Sequence, residues 1–233
     1  MHPYEFLQRF GPTALVTDAS SDIGEAFAAL LAKGGFDLVL CAPHKAPLET
    51  LAARLRDHEG VAVTVLEADL MTPGQFDQLA QACESQDIGL LVSTVEHCLA
   101  GVLSASNTAS LQATVQQTLT TTVHSDAILP ILQDNTCLSK LVARGTGGII
   151  LHTNPGSNAE ASPAGNTLVE KLWSELQPLG ITVLGLCTGS SGQPGQVPGN
   201  GSDSGLQEPP TVARATAQAA IDNIELGPLL ILA

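Results

Sequence analysis

Residues Thr13–Gly24, TALVTDASSDIG, constrain this chain more than any other stretch. An apolar run, Ala14-Leu15-Val16, enters a turn of small and polar residues, and the helix-compatible Ile23-Gly24-Glu25-Ala26-Phe27 leaves it. Strand, tight loop and helix start, in that order, aim backbone N–H groups and the positive end of a helix dipole at one point. Such a junction favours a bound anion of phosphate size.

The rest of the chain keeps the same alternation. Thr13–Thr17, Asp37–Cys41, Val61–Glu67, Ile88–Ser93, Gly148–His152, Ile181–Cys187 and Pro228–Leu232 read as strands. Helices are expected over Ile23–Lys33, Pro47–His58, Thr72–Cys83, Ala109–Leu132, Leu168–Leu179 and Pro210–Glu225. Seven strands with intervening helices predict an α/β fold. The expected form is a Rossmann-like doubly wound sheet of mostly parallel strands with helices on both faces. Ligands in such sheets lie beyond the carboxyl ends of the strands, so function is sought on that rim.

A chain of 233 residues, 44% of them hydrophobic, suits a single domain over 1–233. Gly189–Pro209 is rich in Gly, Ser and Pro and reads as a mobile, lid-like loop. Nine basic against 23 acidic residues give a net charge of −14, which argues against nucleic acid and anionic membrane surfaces as partners. No apolar run approaches the ~20 residues of a membrane span. The start, MHPYEFLQRFG, lacks the basic and apolar regions of a secretory signal. Five cysteines without CxxC spacing point to a reducing compartment, with Cys41 and Cys187 as core residues, and the expected location is the cytoplasm. No His/Cys/Asp cluster has zinc spacing, so no metal is expected.

Several segments, in the right order, resemble the short-chain dehydrogenase/reductase family over nearly the whole chain. Thr13–Gly24 resembles its TGxxxGIG turn, with Asp18 and Asp22 in place of two glycines and Gly24 retained. Asp69-Leu70, Gly147–Ile150, Leu172–Gly189 and the tail EPPTVARATAQAAIDNI resemble later family segments. The resemblance implies NADP or NAD as cofactor, bound weakly here, at Thr17, Asp18, Ser20, Ser21, Asp22, Ile23, Gly24, Asp69, Leu70, Ser93, Thr188 and Gly189. In the family the Asp of the Asp69-Leu70 step meets the adenine. Asp18 and Asp22 set carboxylates against a pyrophosphate, a like-charge contact costing ~1 kcal/mol or more when poorly solvated. Asp22 could instead cap the following helix. After the second strand, His44 and Lys45 stand where an acidic residue would grip a 2′-hydroxyl, which leans towards a 2′-phosphate.

The family's catalytic set is Ser, Tyr, Lys and a helix Asn. Counting back from Gly180 puts the Tyr and Lys positions on Asn158 and Ser162. The Ser position falls near Thr153 or Asn154, and the Asn position on Gln117. The chain's one tyrosine is Tyr4. His152, at the end of the fifth strand, is the candidate acid or base near neutral pH. The first reading is therefore a degenerate, inactive or weakly active member retained for nucleotide or ligand binding or for assembly. Homo- or hetero-oligomers would form through Ala109–Leu132 and Pro163–Leu179, with Leu168, Leu172 and Leu176 as a stripe. The alternative is an NAD(P)-dependent oxidoreductase of the carbonyl reductase or alcohol dehydrogenase type, rearranged around His152, Thr153 and Asn154. A third reading is a non-redox binder of a small molecule in the same crevice.

Overall fold

The computed structural model describes residues 3–70, 72, 75–94, 136–153, 161–188 and 211–232. Their strands are β1 Thr13–Thr17, β2 Asp37–Ala42, β3 Val63–Glu67, β4 Ile88–Thr94, β5 Gly147–Thr153, β6 Ile181–Thr188 and β7 Leu229–Leu232. The helices are α1 Pro3–Phe10, α2 Asp22–Lys33, α3 Lys45–Glu59, α4 Phe76–Ser85, α5 Thr136–Arg144, α6 Ala161–Leu176 and α7 Thr211–Asn223. One sheet runs in the order β3-β2-β1-β4-β5-β6-β7, and every neighbouring pair is parallel. The Rossmann-like α/β expectation is met.

The order follows from burial. β1 is buried at all five positions and β2 at five of six, as central strands covered on both faces require. β3 is only partly buried and takes the edge. Two apolar layers flank the sheet. On one face α1, α2, α3 and α7 pack through Phe10, Phe27, Ala28, Leu48 and Ala217. On the other, α4, α5 and α6 pack through Leu79, Cys83, Leu138, Leu168 and Leu172.

Most element boundaries agree with the sequence, and the departures have local causes. Thr72 and Gln75 do not open a helix. The Asp69 N–H donates to Gln75 Oε1 at 2.7 Å and the Thr72 hydroxyl to Asp69 Oδ2 at 2.7 Å, so this segment turns before α4 begins at Phe76. The α6 helix starts earlier than expected and ends at Leu176, because Pro178 turns the last residues into a 3₁₀ turn, Gln177–Leu179. Gly180 follows at φ 81°, where an added Cβ would lie 2.1 Å from Gly145 O. Two further helices were not anticipated. Phe6, Phe10 and Phe36 cluster under α1, and α5 occupies a stretch for which no element is expected.

Leu168, Leu172 and Leu176 are buried against the sheet, so the stripe is core. Cys83 and Cys137 form a disulfide, with Cα atoms 5.4 Å apart across 54 residues of sequence, which removes them from the set of free thiols. Lys140 adds a hydrogen bond to the Glu84 carbonyl, so α5 is fastened to the end of α4 twice, and Arg144 pairs at 3.0 Å with Asp87 just before β4. Among the described residues no helix is long and apolar enough to cross a membrane. The expected helix Ala109–Leu132 and the loop Gly189–Pro209 lie outside the described residues.

Candidate functional site

The strand order reverses between β1 and β4, and a ligand crevice opens at such a reversal, beyond the carboxyl ends. Thr17 ends β1 and Ser93 lies one residue from the end of β4. Both are buried, and the Thr17 hydroxyl donates to Ser93 Oγ at 2.8 Å across the floor of the crevice.

Above Thr17 the chain turns at Asp18, whose φ of 55° is the left-handed region that favours glycine. Asp is among the few side chains that adopt it readily, which is how the loss of the first glycine is tolerated. Ser21, not Asp22, caps α2. Its Oγ accepts from Gly24 N–H at 3.1 Å and donates to the Asp18 carbonyl at 2.9 Å. Asp22 is instead the first helical residue, where a carboxylate complements the dipole. A Cβ on Gly24 would lie 2.3 Å from Asp18 O and 2.8 Å from Ala19 Cα, so only glycine lets α2 close on the loop. Ser20 is exposed, and Ile23 is half-buried. The N–H groups of Asp22 and Ile23 have no carbonyl partner within the helix. Free N–H groups at a helix start favour a bound anion.

The β2–β3 side of this rim carries negative charge. Burial, then the carboxylates of Asp18 and Asp69, push the Cys41 thiol up to about 12. Cys41 is therefore a packed thiol and not a nucleophile. The Asp69 carboxylate accepts the Thr72 hydroxyl, and Leu70 is buried beside it. Past β2, His44 precedes α3 and is exposed, and Lys45 begins the helix. The Lys45 N–H donates to Glu67 Oε1 at 3.3 Å, and its ammonium lies 3.9 Å from Glu49, an exposed pair of small energetic weight.

His152 lies at the carboxyl end of β5, in register with Thr94 of β4 and Leu186 of β6. Ile149 and Leu151 face α4–α6, whereas Ile150 faces α2 and α7. The two-residue strand period puts His152 on the α2/α7 side. The α6 helix, which carries Ser162, packs on the other side, so these two candidates are not brought together. Burial lowers the His152 pKa from 6.5. The folded state then binds its proton less readily than the unfolded state. Its stability contribution is full above pH 6.5 and is lost as pH falls from there through the lowered value. Denaturant titrations from pH 7 to 5 should show a fall in stability that His152→Gln reduces. Equal slopes for both proteins would contradict the assignment.

Of the remaining candidates, Thr188 ends β6. Gln117, Asn154, Asn158 and Gly189 lie outside the described residues. Among the described residues no group of three His, Cys, Asp or Glu could hold a metal ion. The capping role of Ser21 was missed from sequence, although a serine immediately before a helix start is a legible signal.

Comparison with known proteins gives these features a context. The family model described as short chain dehydrogenase matches residues 12–194, from just before β1 to beyond β6. Mouse 17-beta-hydroxysteroid dehydrogenase type 3 is 31% identical over 93 residues, which cover 40% of this chain and 30% of that enzyme. The 7beta-hydroxysteroid dehydrogenase of Clostridium sardiniense is 33% identical over 86 residues, 37% of this chain and 33% of that enzyme. The chain thus spans about a third of the length of the curated relatives it matches. A solved short-chain dehydrogenase from Sphingobium yanoikuyae, in complex with NADPH, is 26% identical with a TM-score of 0.63, over 95% of this chain and 87% of that one. An alcohol dehydrogenase from Comamonas testosteroni, specific for bulky-bulky ketones, is 22% identical with a TM-score of 0.65, over 95% and 86% of the two chains; the likeness there is one of fold.

Proposed function

Because the chain belongs to the short-chain dehydrogenase family, we propose that it binds NADP(H) in preference to NAD(H) over the β1–β4 crevice. There it serves as an oxidoreductase of the carbonyl reductase or alcohol dehydrogenase type, with a rearranged acid–base group. The observation that carries this reading is the Asp18–Gly24 loop. Asp18 supplies the left-handed turn, Ser21 caps the helix, and Gly24 permits the close approach. The backbone thus keeps a phosphate-facing shape although two glycines of the family pattern are gone. The NADPH complex of the Sphingobium relative supports the same cofactor.

A nicotinamide bound in the crevice supplies or accepts a hydride. The protein's part is to move the accompanying proton. His152 is neutral at pH 7 because burial disfavours its charged form. A neutral imidazole accepts the hydroxyl proton of a secondary alcohol as the carbon loses hydride, and the imidazolium returns a proton to a carbonyl oxygen in reverse. Alcohol oxidation is therefore favoured above the lowered pKa and carbonyl reduction below it. Thr17 and Ser93 hold the crevice floor, Lys45 offers positive charge to a 2′-phosphate, and His44 stands beside it.

The inactive reading keeps one specific support. Tyr4, the chain's single tyrosine, is 63% exposed on α1. This helix packs at the amino ends of β4 and β5, where a Cβ on Gly89 or Gly148 would strike Phe10. Tyr4 is thus at the opposite end of the sheet from the crevice.

Calorimetric titration with NADPH and NADH tests the cofactor. NADPH is expected to bind several-fold more tightly than NADH, with Lys45→Ala removing most of the difference, since one exposed cation near a phosphate contributes about 1 kcal/mol. Asp18→Gly/Asp22→Asn should tighten both about tenfold. Failure of the native chain and of the variant to bind either dinucleotide would overturn the proposal. Binding by the variant alone would favour the inactive reading.

A further inference from the structure

A second concavity lies away from the crevice. It is a groove of about 520 Å³ walled by α1, the end of α2 and α7. Phe6, Leu30, Leu31, Phe36 and Ile221 give it an apolar lining. Phe6 packs on Phe10 and Phe36, with ring centroids 4.8 and 5.5 Å away, which stiffens that floor. The walls are tied together where Arg9 of α1 pairs with Glu225 just beyond α7. This volume is that of a small-molecule site, and Lys33, Thr211, Arg214, Gln218 and Asp222 add polar groups to the lining.

The polar groups have a direction. Among the described residues Asp222 is the single carboxylate of the lining, and it accepts a hydrogen bond from Gln218 Nε2 at 3.0 Å. Against it stand two exposed cations, Lys33 and Arg214. In a chain with nine Lys and Arg and a net charge of −14, two cations share this groove. Three large apolar side chains on the same elements are exposed as well: Tyr4 on α1, Val212 in the first turn of α7 and Leu226 just past its end.

We propose that this groove binds a single-chain amphiphile with an anionic head, of the long-chain carboxylate class. The hydrocarbon lies on Phe6, Leu30 and Ile221, and the carboxylate is drawn to Lys33 and Arg214. The groove's volume fits a small molecule, whereas a protein partner would need roughly 800 Å² on each side of its interface.

Oleate and oleyl alcohol, titrated into the full chain with and without saturating NADPH, test the proposal. Oleate is expected to bind up to about fivefold more tightly than the alcohol, the difference an exposed ion pair makes. The surface variant Lys33→Gln/Arg214→Gln should lose that preference and keep the native melting temperature. Ile221→Trp, which fills the groove, should weaken both ligands, and NADPH should compete with neither. Loss of oleate binding on adding NADPH would place the ligand in the crevice and overturn the proposal. So would oleate binding unchanged in Ile221→Trp, no binding at all, or self-association of the chain that Ile221→Trp abolishes while oleate does not bind.

Discussion

Reduction of the Cys83–Cys137 disulfide is expected to lower the melting temperature of this protein by about 10 °C. The bond closes a loop of 54 residues between α4 and α5. Closing a loop of that length removes chain entropy from the unfolded state worth about 4 kcal/mol. For a chain of this size each kcal/mol moves the melting temperature by roughly 2–4 °C. The two sulfurs are buried in the layer that α4, α5 and α6 form against the sheet, so the folded state accommodates the bond within existing packing. Thermal melts with and without dithiothreitol give the comparison. Cys83→Ser/Cys137→Ser should melt near the reduced value and be insensitive to reductant. The denatured native protein should titrate two more thiols after reduction than before it. Identical melts and identical thiol counts would contradict the pairing.

That bond also marks where sequence reading stops. Strand β1 is found with the boundaries read from the sequence, and α2 differs from them by one residue. Those segments carry their own signal: an apolar run buried on both faces, then small residues spaced to close on it. The α1 and α5 helices are short and gain their stability from tertiary contacts, Phe6 on Phe36 and the disulfide with Arg144–Asp87, which no local pattern records. Cys83 and Cys137 follow no spacing rule, because the fold alone brings α4 beside α5. At the candidate site, the loop was legible as a phosphate-type turn. The role of Asp18 was not, since its left-handed φ and the Ser21 cap depend on backbone geometry. For His152 the rim position was legible, and the face followed only when its neighbours Ile149, Ile150 and Leu151 were seen to divide between the two layers.

Replacing His152 carries the second large effect. A positioned acid–base group contributes about 10²–10⁴-fold to proton transfer. His152→Ala is therefore expected to reduce kcat by at least about 100-fold. Its affinity for NADPH should stay within about twofold of native, because the proposed phosphate contacts are those of the Asp18–Gly24 loop and of Lys45, not of His152. The native profile should show alcohol oxidation rising with pH through the lowered His152 pKa and carbonyl reduction falling. A purely structural role for the imidazole would change stability and leave that pH profile in place.

NADPH-coupled turnover of a panel of bulky ketones and keto-steroids, measured for the native chain beside His152→Ala, bears most directly on the proposed oxidoreductase. The expected result is consumption of NADPH by the native chain with at least one ketone, and a loss of about 100-fold or more in the variant at unchanged cofactor affinity. A native chain that binds NADPH and turns over no ketone, or a variant as fast as the native chain, would contradict it.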